Sequence, residues 1–319
     1  MGDLPAIAAD DERLAVFATV RDLFRYAVSR FNAADLAYGH GATNAVDEAA
    51  FIVLEGMKLP IDALDPFLEA HLTRAERARL LALIDARVAT RKPAPYLLNR
   101  AYIQGVPFYV DERAIVPRSF IGELLFHGLV GPGALIDDAS AIESALDLCT
   151  GGGSLAILAA RVFANARVDA VDVSADALAV ARRNVEEHDL AGRVTLHEGD
   201  LFAPLGAARY DLILANPPYV DAESLAAFPP EYAAEPRLAH AGGRDGLDIV
   251  RRILAEAGAH LTQDGALVCE VGRARARLEA AYPDLPFLWL DTEESEAEGE
   301  VFALRVRDLS SRGRRVRRG

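Results

Sequence analysis

From about Glu12 to Arg91 the apolar residues recur at helical spacing, as in Leu14, Phe17, Val20, Leu23 and Phe24, then Ala49, Ile52, Val53 and Leu59. This pattern predicts a small helical domain over residues 1–92. Its last helix starts near Thr73, with Glu76 three residues on as in a capping box, and runs through Leu80, Leu83 and Ile84 until Pro93 and Pro95 stop it. The rhythm then breaks. In "YLLNRAYIQGVPFYVDERAIVPR", Tyr, Ile, Val and Phe mix with Gly105, Pro107 and Pro117, which predicts short strands or a hairpin in a connector over 93–139.

From Ser144 onward, apolar runs of strand length alternate with helical segments. Strands are expected at 144–149, 167–171, 194–198, 210–215, 265–271, 287–290 and 301–307, and helices near 154–163, 175–188, 246–260 and 273–282. Such βαβ alternation argues for a parallel sheet covered by helices on both faces. Between the last two strands only "DTEESEAEGE" intervenes, too little for a crossover helix, so these two pair antiparallel. The expected class is α/β, a seven-stranded Rossmann-like sheet over 140–309 with an antiparallel last strand. Residues 310–319 form a basic tail, expected to be disordered.

The chain has 319 residues, 51% hydrophobic and 26% charged, enough for one large domain with a smaller partner. Its apolar runs fall far short of the roughly 20 residues that cross a bilayer, and the start "MGDLPAIAADDE" is acidic, so a cytoplasmic protein is expected. Two cysteines, Cys149 and Cys269, and seven scattered histidines give no metal-ligand spacing; no metal is expected. The net charge is −14 although "RGRRVRRG" at the end carries five arginines, so the body is more acidic still. An acidic body repels phosphate backbones and favours basic partners; only the tail offers a surface for nucleic acid.

After the first of the alternating strands comes "DLCTGGGSLA". Gly151, Gly153 and Ala156 fit G-x-G-x-x-G/A, in which glycines let the backbone turn sharply beside a ligand and the next helix offers free N–H groups. Asp172 closes the second strand, where an acid accepts hydrogen bonds from ribose hydroxyls. Alone, this pair fits a nicotinamide cofactor as well as S-adenosylmethionine. Asp200, after the third strand, is either an acceptor for an adenine amino group or a loop cap. Directly after the fourth strand stands Asn216-Pro217-Pro218-Tyr219. The prolines fix their own φ angles and restrict the residue before them. An NH₂ group needs two acceptors, which the Asn216 side-chain oxygen and the Pro217 carbonyl supply, while the Tyr219 ring packs against substrate or near a cationic sulfur.

The glycine turn, Asp172 and Asn216–Tyr219 together resemble the S-adenosylmethionine-dependent methyltransferases that modify amide or exocyclic amino groups, whose sheet has an antiparallel seventh strand. Residues 93–125, "EPRLAHAGGRDGLDIVRRIL" (235–254) and "CEVG" (269–272) are similar to the bacterial protein-glutamine N5-methyltransferases. The resemblance implies S-adenosyl-L-methionine as cofactor, held by Cys149, Thr150, Gly151, Gly152, Gly153, Asp172, Asp200, Leu201 and Asn216. It implies that Asn216, Pro217 and Tyr219 are catalytic, with Pro218 among the residues that grip the glutamine. Pro117-Arg118-Ser119, following Tyr109–Arg113, is similar to the members that modify large-subunit ribosomal protein L-three. Members acting on the Gly-Gly-Gln loop of release factors read Pro-Arg-Pro-Glu-Thr-Glu there. Two positions depart from the family: Gly152 stands where a Ser or Thr is usual, and Leu201 where release-factor enzymes carry an aromatic. Adenine-N6 methylation of nucleic acid and a non-enzymatic role in ribosome assembly are the other readings that these residues permit.

Overall fold

The computed structural model describes residues 4–292 and 299–310; the arginines of the 310–319 tail expectation lie outside the described residues. The chain forms two compact units, one of Met1–Tyr102, Val110–Glu112 and Phe228–Glu235, the other of Ile103–Tyr109, Arg113–Ala227 and Pro236–Gly319. The stretch 93–139 therefore contributes to both.

The first unit is built on three long helices, Val20–Ala33, Ala45–Met57 and Arg74–Thr90. Each begins on a side chain that satisfies its free N–H groups. Thr19 with Asp22 and Thr73 with Glu76 make capping boxes, and the Asn44 side chain accepts from Val46 and Asp47. Leu23, Ala27, Phe31, Ile52, Val53, Leu80, Leu83 and Ile84 bury their side chains in one core. The third helix ends earlier than the prolines alone imply. Arg91 takes a left-handed conformation (φ 56°) that closes the helix at Thr90, and Pro95 instead sits in the first turn of a short helix, Ala94–Leu98, where its missing N–H costs nothing.

In the second unit a two-stranded hairpin, β1 (Ala101–Ile103, of which Ala101 and Tyr102 belong to the first unit) with β2 (Val106–Phe108), precedes the helix Phe120–His127. Then follow β3 (Ser144–Leu148), β4 (Arg167–Asp172), β5 (Val194–Glu198), β6 (Tyr210–Ala215), β7 (Leu261–Glu270), β8 (Leu288–Leu290) and β9 (Val301–Arg305). They form one sheet in the order β5-β4-β3-β6-β7-β9-β8. The first five run parallel, and β9 pairs antiparallel with both β7 and β8. Alternate residues face opposite cores. Ala145, Val168, Leu212 and Val268 pack toward helices 120–127 and 154–162, whereas Leu146, Val171, Ile213 and Leu267 pack toward 248–256 and 275–281. Helix Asp248–Glu256 starts two residues after the expected 246, because Gly243 and Gly246 adopt positive φ (88° and 80°) and keep the preceding loop out of helix. Among the described residues no helix is long and apolar enough to cross a membrane.

Candidate active site

The carboxyl ends of β3, β4, β5 and β6, four neighbours in the sheet, carry the turn Cys149–Gly153, Asp172, Asp200 with Leu201, and Asn216 respectively. In an open α/β sheet this edge is where ligands bind.

The turn is held from below by Asp147, near the end of β3 and only 1% exposed. Its Oδ2 accepts from the Thr150 hydroxyl and from the Ala156 N–H at 3.0 Å, so one oxygen fixes both limbs of the turn. Burial pushes this carboxyl up to about 7, against the opposing hydrogen bonds from Thr150 and Ala156. Its other oxygen, Oδ1, is buried with no hydrogen-bond partner among the described residues. Cys149 (φ 59°), Gly151 (φ 54°) and Gly153 (φ 83°) all lie in the left-handed region. At Gly153 a Cβ would stand 3.1 Å from that of Ala181, so the close approach to helix Ala175–Glu187 requires glycine as well. A side chain at 152 would point at Val180, Asn184 and Ala114. The hydroxyl that Gly152 lacks would thus meet the adjoining helix. Asn184, fully buried, donates to the Gly152 carbonyl at 2.8 Å and brackets the Tyr109 backbone, donating to its carbonyl and accepting from its N–H.

Asp172 accepts from the Gly151 N–H (2.8 Å) and the Ser174 N–H (2.9 Å), one on each oxygen, with a further backbone contact from Val173, and a carboxylate's roughly four acceptor sites exceed these three donors. Burial raises its pKa. Asp200 is exposed and pairs with Arg252 at 2.8 Å through Oδ2. Leu201 has positive φ (50°) and turns its side chain into the core with Phe202. This set fits S-adenosylmethionine: a turn that needs glycine, braced from beneath by a buried carboxylate, and a second carboxylate with acceptor capacity left for a ribose.

Asn216 donates from Nδ2 to the Arg118 carbonyl at 3.2 Å. That bond settles the amide orientation. Oδ1 receives no donor among the described residues, and neither does the Pro217 carbonyl. Tyr219 is held by its hydroxyl, which donates to Glu270 Oε1 at 3.0 Å. Burial and the Glu270 charge hold the phenol far above its ordinary pKa, so it remains a donor.

Several residues of this site were not singled out in the sequence for a role there. Gly272 has φ +50°, and a Cβ on it would lie 2.6 Å from the Tyr219 ring. At Gly242 a Cβ would lie 2.8 Å from both the Pro218 carbonyl and Tyr219 Cα, and Val220 is stitched to the same loop by its N–H to the His240 carbonyl and its carbonyl to the Gly242 N–H. The glycine cluster "AGGRDG" is the signal for this close approach. The Arg118 contribution is a backbone carbonyl and leaves no signal in residue type.

Residues 133–228 match the family model "Methyltransferase small domain". The chain is 61% identical over 294 residues to the ribosomal protein uL3 glutamine methyltransferase of Bradyrhizobium diazoefficiens, covering 91% of this chain and 92% of that protein. It is 57% identical to the enzyme of that name from Bordetella pertussis (87% and 92% covered) and 53% identical to that from Burkholderia pseudomallei (92% and 96%). With this identity across nearly the whole chain, the protein belongs to the family of ribosomal protein uL3 glutamine methyltransferases.

Proposed function

We propose that this protein methylates the side-chain nitrogen of a glutamine in ribosomal protein uL3, in the cytoplasm, with S-adenosylmethionine as donor. The observation that carries the reading is the pair of open acceptors, Asn216 Oδ1 and the Pro217 carbonyl, presented beside an Asn216 amide already committed through Nδ2. A glutamine NH₂ brings two hydrogens and takes both acceptors. Were Asn216 flipped, its own NH₂ would face that of the substrate; the Arg118 carbonyl holds it the other way.

The bound cofactor supplies a methyl group on a sulfonium sulfur. The protein's part is placement. An amide nitrogen is a poor nucleophile because its lone pair is delocalised into the carbonyl. Taking both N–H hydrogens in hydrogen bonds fixes the direction of that lone pair, and alignment of this kind supplies much of the acceleration in group transfer. The Tyr219 ring, laid against Gly272 and tethered to Glu270, forms a wall beside the acceptors. A methylated amide that still carries both its hydrogens is very acidic and loses one to water, so no strong base is required.

The acidic body suits a basic protein substrate and disfavours a phosphate backbone, which places adenine methylation behind glutamine methylation. Methyl-labelled S-adenosylmethionine should label purified uL3 and leave unlabelled a uL3 whose target glutamine is alanine. Asn216→Ala should cut the rate by roughly 100-fold or more. Equal labelling of release factors under matched conditions would overturn the substrate choice.

A further inference from the structure

Glu270 ends β7, is 1% exposed and, among the described residues, has no cation as a hydrogen-bond partner. Its Oε2 accepts from the Ser119 hydroxyl at 2.6 Å and from the Phe120 N–H at 3.0 Å; its Oε1 accepts from the Tyr219 hydroxyl at 3.0 Å. Ser119 is the N-cap of helix Phe120–His127, its Oγ accepting from the Ile121 N–H at 3.2 Å. One residue earlier, the Arg118 carbonyl receives the Asn216 amide.

These links close a ring: Asn216 to Arg118, Arg118 through the chain to Ser119, Ser119 to Glu270, Glu270 to Tyr219, and Tyr219 back through the two prolines to Asn216. The prolines allow little φ freedom on the last arc, and Gly272 lets the ring of Tyr219 lie on the backbone two residues beyond Glu270. Carboxylate oxygens that each hold a donor in a buried site couple those donors, since displacing one changes the charge distribution that holds the other.

We propose that Glu270 is a positioning residue for glutamine methylation, locking the Tyr219 wall and the Asn216 acceptor to the Ser119 end of helix Phe120–His127 so that they form one rigid unit. The proposal rests on the glutamine reading given above. Glu270 is buried behind the Tyr219 hydroxyl, the Ser119 hydroxyl and the Phe120 N–H. It acts through Tyr219, and through the backbone at 118–120 on which the orientation of Asn216 depends. Arg118 and Ser119 thereby become determinants of where the substrate amide sits.

The test is a double-mutant cycle of Ser119→Ala and Tyr219→Phe, each of which removes one oxygen atom and leaves Glu270 in place. The two side chains bind opposite oxygens of the same carboxylate, so they should be coupled. Each single change should lower kcat for uL3 by about tenfold, the size of one lost hydrogen bond to a charged group, and the double variant should fall little further than the worse single. KM for S-adenosylmethionine should not change. Glu270→Gln, whose amide oxygen can still accept from Ser119 and Phe120 while its NH₂ meets the Tyr219 hydroxyl, should fall about as far as Tyr219→Phe. Losses that multiply in the double variant, or a rise in cofactor KM that accounts for the kcat effect, would overturn the proposal. The same cycle read in urea denaturation needs no substrate, and additivity there overturns it too. Failure of the wild type to label uL3 would count against the substrate reading alone.

Discussion

Both units bury carboxylates, and they answer them in opposite ways. In the helical unit Glu48 and Glu231 face guanidinium groups. Arg87, fully buried, donates from Nε to Glu48 at 3.0 Å, and Arg91 pairs with Glu231 at 2.6 Å. The same two arginines also donate to the carbonyls of Ala34, Asp35, Ala37 and Arg91, and Glu231 accepts from the Ala37 N–H. These charges staple the loop after helix Val20–Ala33 and the segment Phe228–Glu235 to the helix Arg74–Thr90. In the sheet unit, Asp147 and Glu270 receive, among the described residues, only hydroxyls and N–H groups, and burial pushes each up to about 7. A carboxylate paired with a cation holds the fold; one given only neutral donors holds its neighbours in place at an electrostatic cost, and here both of the latter adjoin the residues of the site.

The sharpest way to break this contrast is to make the first region like the second. Arg87→Met removes the cation and leaves Glu48 buried with the Ala94 N–H at 3.3 Å as its remaining donor. We expect a loss of about 3–5 kcal/mol in urea denaturation, and recovery of part of it when Glu48→Leu is added, because the unpaired buried charge is then gone while the Ala37 and Arg91 carbonyls still lack their donor. A loss below about 1 kcal/mol would show that the site hydrates and that the contrast is not electrostatic.

Glu270 tests the other side of the comparison through pH. Its carboxyl lies at about 7 in the folded protein against 4.5 ordinarily, chiefly by burial, with Ser119, Tyr219 and Phe120 opposing and Glu300 adding to the rise. Below pH 4.5 both states carry the proton and the group costs nothing. As pH rises to about 7 the unfolded chain releases its proton while the folded one retains it, so this group's share of stability falls across that window. The expected difference is about 3 kcal/mol between the ends of the window, and it should vanish in Glu270→Gln. An identical pH profile in wild type and variant would remove Glu270 from the set of strained carboxylates.

Much of this was legible in the chain because its central strands β3, β6 and β9 are buried almost throughout. Runs such as "YDLILA" can serve few other purposes, and the span from Leu290 to Val301 is too short for a crossover. The residues at the strand ends were legible for the same reason, since topology brings the ends of β3 to β6 to one edge without any knowledge of side-chain contacts. What the sequence hid is of two kinds. Backbone acceptors such as the Arg118 carbonyl carry no residue signature. Long-range partners such as Glu270 with Ser119, 151 residues apart, depend on register that periodicity does not supply. Segment Phe228–Glu235 belongs with the helical unit for a similar reason: Glu231 is 140 or more residues from the arginines that hold it.

Asp200 with Arg252 offers the smallest effect and the cleanest control on the comparison. Here a carboxylate at the same edge of the sheet does have a cation, at 2.8 Å, but both side chains are about half exposed. In that setting the attraction is screened by water and offset by the entropy of two long side chains, so Arg252→Ala should cost under about 1 kcal/mol in denaturation. Its consequence belongs to the site. Freed from Arg252, Asp200 Oδ2 becomes a second available acceptor beside Oδ1. If Asp200 grips the adenine amino group, affinity for S-adenosylhomocysteine should hold or rise by a factor of about two. A fall of tenfold would mean that Arg252 itself positions Asp200, and that even an exposed ion pair at this edge serves the ligand more than the fold.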